Sequence, residues 1–590
     1  MDWTDWKGEA MVRGPLRAVL TGRGGSRGAV GDRADVGGGA AEGALGREDG
    51  AGPAAGPVPG ARDGGGGTPP GRARGRPRGT DGAVGASRAG RSRAATAAVL
   101  LPGGVMLVLG LWGLDRRTVW RDEGATLQVA RRSLPEIVRL LRDVDLVHGL
   151  YYLLMHAVVA VHDDEVTVRL PSVAAAAGTA ALVAAIGCRL ARPRVGLWAG
   201  LAYAATPFVG HYAQEGRSYA LVAAGAAGAT WLLVRAAERG TGLRWTGYGA
   251  VVAVTSLLHE FAILLLAAHG LTLLASRVPW RTWRGWLYAG LAACAAAAPL
   301  AVLSRRQSAQ VSWIRTPGYA EAKGLVLAFA GPTGLIAGVT LALAALALVA
   351  PLPRTGPPGA RRLPLNAVAL PLALVPPVLL YAASQRTPLF LDRYLLFSVA
   401  GVPLLAAAGL ERVLGALPGQ RAVAAAGAVL VAAGFVWQLP QQQRERLPGS
   451  RGDEPAAVAR AVGRLARPGD AVLFLPHHER RTALFYPEEF TGLRDLTLKR
   501  SAAASGTLYG EEVGAAELRA RLAALPAGRP VWVVSDTTTV GGRWFRAQRA
   551  ETAKTRVLGE LCRARPESTV YVRGGSVSRY TCGPPRGRAP

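Results

Sequence analysis

Residues 95–124 read ATAAVLLPGGVMLVLGLWGLDRRTVWRDEG. The stretch from Ala95 to Leu114 is apolar and long enough to cross a bilayer as one helix, which takes about 20 residues. It is followed at once by Trp120-Arg121-Asp122-Glu123-Gly124. Carboxylates at a membrane face are costly unless they are paired or put to use. The pair therefore predicts an active site at the boundary between water and lipid, close to the exit of the first span.

The rest of the chain has the composition of a polytopic membrane protein. Half of the 590 residues are hydrophobic. Apolar runs predict about eleven spans in all, at 96–115, 168–188, 195–212, 218–236, 246–259, 261–276, 285–303, 332–351, 364–383, 394–410 and 421–438. The net charge of +29 is that of many nucleic-acid-binding proteins. The cations, however, sit in short loops between apolar runs and in a Gly-rich N-terminal tail, so the expected partner is the bilayer and no nucleic acid. Arg189, Arg192 and Arg194 fall in one loop, Arg235 and Arg239 in the next on the same side. Arg277, Arg281 and Arg284 follow, then Arg354, Arg361 and Arg362, then Arg412 and Arg421. This bias makes that side, and the basic N-terminus, cytoplasmic. The alternation requires that 149–161 lies in the interface instead of crossing. The C-terminus is then extracytoplasmic.

Three regions follow from this reading. Residues 1–94 are Gly, Arg, Ala and Pro with no apolar clusters; they predict a disordered cytoplasmic tail without a signal peptide, or a start codon further downstream. Residues 95–440 form the membrane domain. Residues 441–590 change texture. Asp470–Leu475 and Pro530–Val534 read as buried strands, and Ser568–Val572 with Ser576–Thr581 as a hairpin around Gly574-Gly575. This predicts a small extracytoplasmic α/β domain, in which Cys562 and Cys582 are placed to form a disulfide. His477-His478 has no third ligand in view and reads as surface.

On the predicted outer face, carboxylates and histidines gather in the first three loops: Asp122 and Glu123, His148 with Tyr151 and Tyr152, His211 with Glu215 and Arg217, and His259. Arginines gather in the last two: Arg306 and Arg315, then Arg393 beside Tyr394. That polarity suits an acid/base centre facing a phosphate site. The plainer readings are a hydrated loop pair at Asp122-Glu123, a solvated Glu215–Arg217 ion pair, headgroup-anchoring arginines and interfacial tyrosines at 151 and 152.

These segments occur in the order found in a known group. The chain resembles the GT-C superfamily of polytopic glycosyltransferases, in the branch of protein O-mannosyltransferases and lipid A aminoarabinose transferases, glycosyltransferase family 39. The resemblance rests on Trp120–Glu123, Asp145–Tyr152, Arg169-Leu170-Pro171-Ser172, His211–Leu221, Leu258–Phe261 and Asp392–Leu395, and covers roughly residues 96–440. The prolines usual in the second segment are missing, and the second acidic position is Glu. The resemblance implies transfer of a sugar, mannose by family frequency, from a polyprenyl-phosphate donor to a protein, glycan or lipid acceptor on the outer face, with inversion. It implies Asp122 as general base, with Glu123 and Glu215 orienting the acceptor. Arg393 with Arg306 or Arg315 would bind the donor phosphate, and His148, Tyr151, Tyr152, Arg217, Tyr219, His259 and Tyr394 the substrates. In some relatives a divalent metal ion sits at this centre, here at Asp122 and Glu215. A transporter or flippase and a non-catalytic membrane scaffold are the competing classes.

Overall fold

The computed structural model describes residues 81–353, 362–526, 528–562 and 565–582. Most of the expected tail, with Arg354 and Arg361, lies outside them. The chain opens with α1 (Asp81–Leu111) and then forms three short helices, α2 (Arg121–Ala130), α3 (Leu134–Asp143) and α4 (Gly149–Val159). Next come α5 (Glu165–Leu190), α6 (Pro193–Ala205), α7 (Pro207–Ala213), α8 (Tyr219–Glu238), α9 (Gly242–Leu258), α10 (Leu265–Ala275) and α11 (Trp280–Ser304). The membrane domain closes with α12 (Tyr319–Ala330), α13 (Gly334–Val349), α14 (Leu365–Ser384), α15 (Gly401–Leu414) and α16 (Gln420–Arg444).

Every expected span is helical, but not every one is a single long helix. Six helices among the described residues are long and apolar enough to cross a membrane, and two bent pairs bring the number to eight. Two of the other three break for a local reason. The stretch 195–212 breaks between α6 and α7, where Thr206 is extended (ψ 118°) and Pro207 follows it. Proline disfavours helical backbone in the residue before it and has no N–H to donate. The stretch 261–276 begins as a 3-10 turn, Glu260–Leu264, after an extended His259. These breaks put polar residues at helix ends, where backbone groups are free to face a site.

The basic loops meet on one face. Arg189 pairs with Glu238, and Arg362 donates to the Arg189 carbonyl at 3.2 Å. Arg192 and Arg194 both bind Glu411, at 2.9 and 2.6 Å. Helices α1, α2, α4 and α7, together with the turns at 259 and 392, bring their polar residues to the opposite face.

The C-terminal region folds as expected. Its strands are β1 (Ala471–Leu475), β2 (Arg494–Asp495), β3 (Leu498–Arg500), β4 (Glu511–Glu512), β5 (Pro530–Ser535), β6 (Ser568–Val572) and β7 (Gly575–Thr581). The main sheet has the order β2-β1-β5-β7-β6, parallel from β2 to β5 and antiparallel beyond. Leu473, Val531 and Val533 pack on one side of it and Val472, Phe474, Trp532 and Val534 on the other. Both faces are covered, as parallel strands require. Cys562 and Cys582 are disulfide-bonded.

This domain sits against α2. The Gln128 amide donates to the Leu508 carbonyl at 3.0 Å, and Arg132 to the Thr507 carbonyl at 3.0 Å. Tyr486 donates to Glu165 at 2.8 Å. Gly124 lies so close to the Phe485 ring that a Cβ there would collide with it. Gly124→Val is therefore expected to lower the thermal unfolding temperature, at a cost of about 1–3 kcal/mol. In a double variant with Phe485→Ala the loss should be smaller than the sum of the two single losses. Additive losses would show that the ring does not abut Gly124.

Candidate functional site

Trp120 is extended (φ −96°, ψ 174°), and α2 starts at Arg121, so Asp122 and Glu123 occupy its first turn. A helix N-terminus favours negative charge there. Successive positions on a helix point about 100° apart, and the two carboxylates part accordingly.

Glu123 turns inward. Its oxygens receive a two-pronged contact from Arg169 on α5, Nε to Oε1 at 3.0 Å and Nη2 to Oε2 at 2.9 Å. The Gly216 amide adds a third bond to Oε1 at 2.7 Å. Arg169 also donates to the Leu114 and Arg117 carbonyls, each at 2.9 Å. Burial alone would raise the Glu123 carboxyl; the charge and hydrogen bonds of Arg169, with Arg117 and Arg451 further off, overcome that and bring it down to about 2. Glu123 is thus committed to protein partners and does not present a free oxygen to an acceptor, contrary to the expectation from the sequence.

Asp122 turns outward. Its side chain is 24% exposed, against 3% for Glu123 and 1% for Glu215. Its Oδ2 lies 3.7 Å from Arg393 Nη2. Arg393 opens the 3-10 turn Asp392–Ser398 and spreads over the Trp313 ring at 6.0 Å and the Tyr394 ring at 5.8 Å. Tyr394, Tyr219, His259 and Phe261 form an aromatic wall, with His259 4.8 Å from Tyr394 and 5.8 Å from Tyr219. On the other side Arg217 donates to His148 Nε2 at 2.8 Å and to the Asp122 carbonyl at 3.4 Å. Burial, then the Arg217 charge, pushes His148 well below its ordinary range, so its imidazole is neutral.

Tyr151 and Tyr152 are fully buried and are not belt residues. The Tyr152 hydroxyl donates to Asp145 at 2.9 Å. Several buried polar atoms here make no hydrogen bond among the described residues: His148 Nδ1, the Tyr151 hydroxyl, Glu215 Oε1, His259 Nδ1, Arg393 Nε and Ser398 Oγ. Native proteins rarely leave such atoms unpaired, and their concentration around Asp122 marks where a polar ligand would be received.

Glu215 lies in the turn after α7. It does not pair with Arg217, as the sequence suggested. Its Oε2 accepts from Arg451 Nη1 at 2.7 Å. Burial pushes its carboxyl up, and Arg451 opposes that. Arg306 and Arg315 are exposed after α11. From that segment it is Trp313 that reaches Arg393.

A divalent metal does not suit this donor set. Each of the three carboxylates faces its own arginine, and Asp122 and Glu215 join no group of three metal-ligating side chains among the described residues. The group that does converge is His478, Glu479 and Asp536, whose ligand atoms lie within 4.8 Å of one another. His478 is therefore buried, not a surface residue. Arg481 binds Glu479 there, and its charge already neutralises one of the two carboxylates.

Residues the sequence reading passed over carry much of this arrangement. Arg169 was quotable as a motif residue without a role; a cation within an apolar span is itself the signal that would have found it. Arg451 and Asp453, which accepts from the Arg121 amide at 3.2 Å, come from the segment after the last span, where no local pattern announces them.

A sequence model of the dolichyl-phosphate-mannose-protein mannosyltransferase family matches residues 149–302. No curated protein matches the chain by sequence. Among solved structures, ArnT from Cupriavidus metallidurans in the apo state is similar at 13% identity and a TM-score of 0.54, over 82% of this chain and 98% of that one. The same protein bound to undecaprenyl phosphate matches at 14% identity and a TM-score of 0.52, with the same coverage. At these identities the solved structures share the fold, and the likeness to the mannosyltransferase family lies in residues 149–302: the chain is a multi-pass membrane protein with an ArnT-like fold.

Breaking the Glu123–Arg169 pair strands a buried charge, which costs about 3–5 kcal/mol. Arg169→Met is expected to lower the unfolding temperature sharply, whereas Asp122→Asn leaves it near wild type. The pair also sets a pH dependence. An unfolded Glu titrates near about 4.3, and the folded Glu123 near about 2. Its stabilisation is complete above the higher value and is lost as pH falls toward the lower one. Thermal melts across that window should fall more steeply in wild type than in Glu123→Gln; parallel curves would contradict the pairing.

Proposed function

We propose that the chain transfers a glycosyl group from a polyprenyl-phosphate donor to an acceptor hydroxyl at the extracytoplasmic face, with inversion. The observation that carries this reading is the meeting of Asp122 with Arg393, an accessible carboxylate beside a guanidinium, amid unpaired buried polar atoms. Asp122 takes the proton of the acceptor hydroxyl while its oxygen attacks the anomeric carbon. The bond from that carbon to the phosphate oxygen breaks, and the electron pair leaves with the lipid phosphate. Arg393 stabilises the charge developing on that phosphate, in a site partly shielded from water. Undecaprenyl phosphate bound to the similar ArnT structure supports this donor class.

In this mechanism Glu123 positions α2, and Glu215 orients the acceptor or stabilises the oxocarbenium-like transition state. His148, Tyr151, Tyr219, His259 and Tyr394 line the sugar and acceptor, with burial, and then Arg217, keeping His148 neutral. Tyr152 acts through Asp145. Arg306 and Arg315, both exposed, are assigned to lipid headgroups. Mannose is the proposed sugar, from the description of the matched family, and a pentose is the second choice. The acceptor is a protein hydroxyl, a glycan or a lipid.

The orientation is part of the proposal. The loops bearing Arg189, Arg194, Arg235, Arg362 and Arg412 lie in the cytoplasm, and the C-terminal domain outside it. The disulfide at Cys562 and Cys582 fits an oxidising compartment. A transporter would keep charges along a path through the spans; here Asp122, Glu123 and Glu215 collect at one face and Glu238 and Glu411 pair with arginines at the other. A scaffold without catalysis would have no need of an accessible Asp122.

The test is transfer in membranes from a panel of radiolabelled polyprenyl-phosphate sugars. Asp122→Asn, matched for expression, is expected to lose at least about 100-fold in rate, the scale of a positioned general base. Equal transfer by both proteins would exclude Asp122 as the base.

A further inference from the structure

The ten residues between α16 and α17 (Pro455–Leu465) are more than a tether to the C-terminal domain. They reach into the site face at four points. Glu445 accepts from His211 Nδ1 at 2.5 Å. Arg446 binds the Trp112 and Leu109 carbonyls at 3.0 and 2.8 Å. Arg451 binds Glu215, and Asp453 binds the backbone of Arg121, next to Asp122.

Arg451 is the most consequential of these. Its side chain is 6% exposed and that of Glu215 1%. Nη1 donates to Glu215 Oε2 at 2.7 Å, and Nη2 to the His211 carbonyl at 2.7 Å. The guanidinium therefore spans the carboxylate and the backbone four residues before it, which fixes the turn between them. Glu215 Oε1 makes no hydrogen bond to the described protein. One oxygen is held and the other is left for a ligand.

The charges around Glu215 show why the hold is needed. Asp122 and Glu123 approach from α2 and repel its negative charge. Arg393 approaches from the 3-10 turn after α14 and attracts it, less strongly than Arg451. Arg117 approaches from the segment after α1. His211 Nε2 is 3.7 Å away, but burial, with the Arg451 charge, keeps that ring uncharged and turned to Glu445. A carboxylate this buried, with two others nearby, is kept in place by the cation that touches it.

We propose that Arg451 is a positioning residue for sugar transfer, holding Glu215 oriented with Oε1 toward the substrate. This rests on the reading of Glu215 as part of the transfer site. It makes the segment after the last span, and not the membrane domain alone, a component of the active centre. Removing Arg451 frees Glu215 and the turn that joins it to His211, so the loss falls on kcat more than on the donor KM.

Double-variant cycles on the full-length protein test this, with wild type, Arg451→Met, Arg451→Lys, Glu215→Gln and the double variant Arg451→Met with Glu215→Gln. Each is read for kcat and KM of transfer and for thermal unfolding, and elution as a single species checks that it is folded. Arg451→Met should lower kcat at least about 10-fold with the donor KM little changed, and Arg451→Lys should restore most of that loss. In the Glu215→Gln background Arg451→Met should cost little more, since contacting residues do not add. Additive losses of kcat overturn the proposal, as does an Arg451→Met that transfers like wild type. Absence of transfer by wild type would count against the transferase reading instead, and additivity of the unfolding shifts would still decide whether Arg451 holds Glu215.

Discussion

The ion pair of Glu123 with Arg169 joins four parts of the chain that are far apart in sequence. It ties the first turn of α2 to α5, receives the Gly216 amide from the turn after α7, and through Arg169 gathers the carbonyls of Leu114 and Arg117 at the end of α1. Both partners are nearly completely buried. A buried pair of charges is seldom retained for stability alone, since desolvation offsets most of its attraction. What this one supplies is position. With Glu123 anchored inward, its neighbour Asp122 has one direction left, outward toward Arg393.

The same logic extends across the site. Each of the three carboxylates has its own arginine, and each arginine comes from a different element: Arg169 from α5, Arg393 from the turn after α14, and Arg451 from the segment after α16. Charge balance is thereby distributed over the whole fold. A shift in any one helix would leave a carboxylate unpaired in a low-dielectric setting. The three pairs differ in exposure, and that difference separates their roles. The closed pairs position the site, while the open one, Asp122 with Arg393, remains accessible to a substrate.

Much of this was legible in the sequence, and the reason is length. Spans such as 168–188 and 218–236 announce themselves because crossing a bilayer takes a long apolar run, and the strands at 471 and 530 because their apolar stretches are bounded by turns. The acidic motif at 122 stood out because charge at a membrane face is expensive. Partner choice was not legible. Glu215 sits two residues from Arg217, yet the structure sends Arg217 to His148 and brings Arg451 from 236 positions away. Arg306 and Arg315 look equivalent to Arg393 by composition, but it is Arg393 that the turn after α14 brings to Asp122 on α2. His478 read as surface because its companions, Glu479 aside, come from the end of another strand, at Asp536. Ion pairs over such separations are set by helix packing, which no local pattern encodes.

The central claim is that Asp122 and Arg393 face opposite ends of the bond that breaks. A structure of the full-length protein with a polyprenyl-phosphate monosaccharide bound, trapped by Asp122→Asn, tests it most directly. The account predicts the phosphate within hydrogen-bond reach of Arg393, with the anomeric carbon turned toward residue 122 and the open space for the acceptor between them. A phosphate bound on the face of Arg189 and Glu238, or on the site face but away from Arg393, would contradict it.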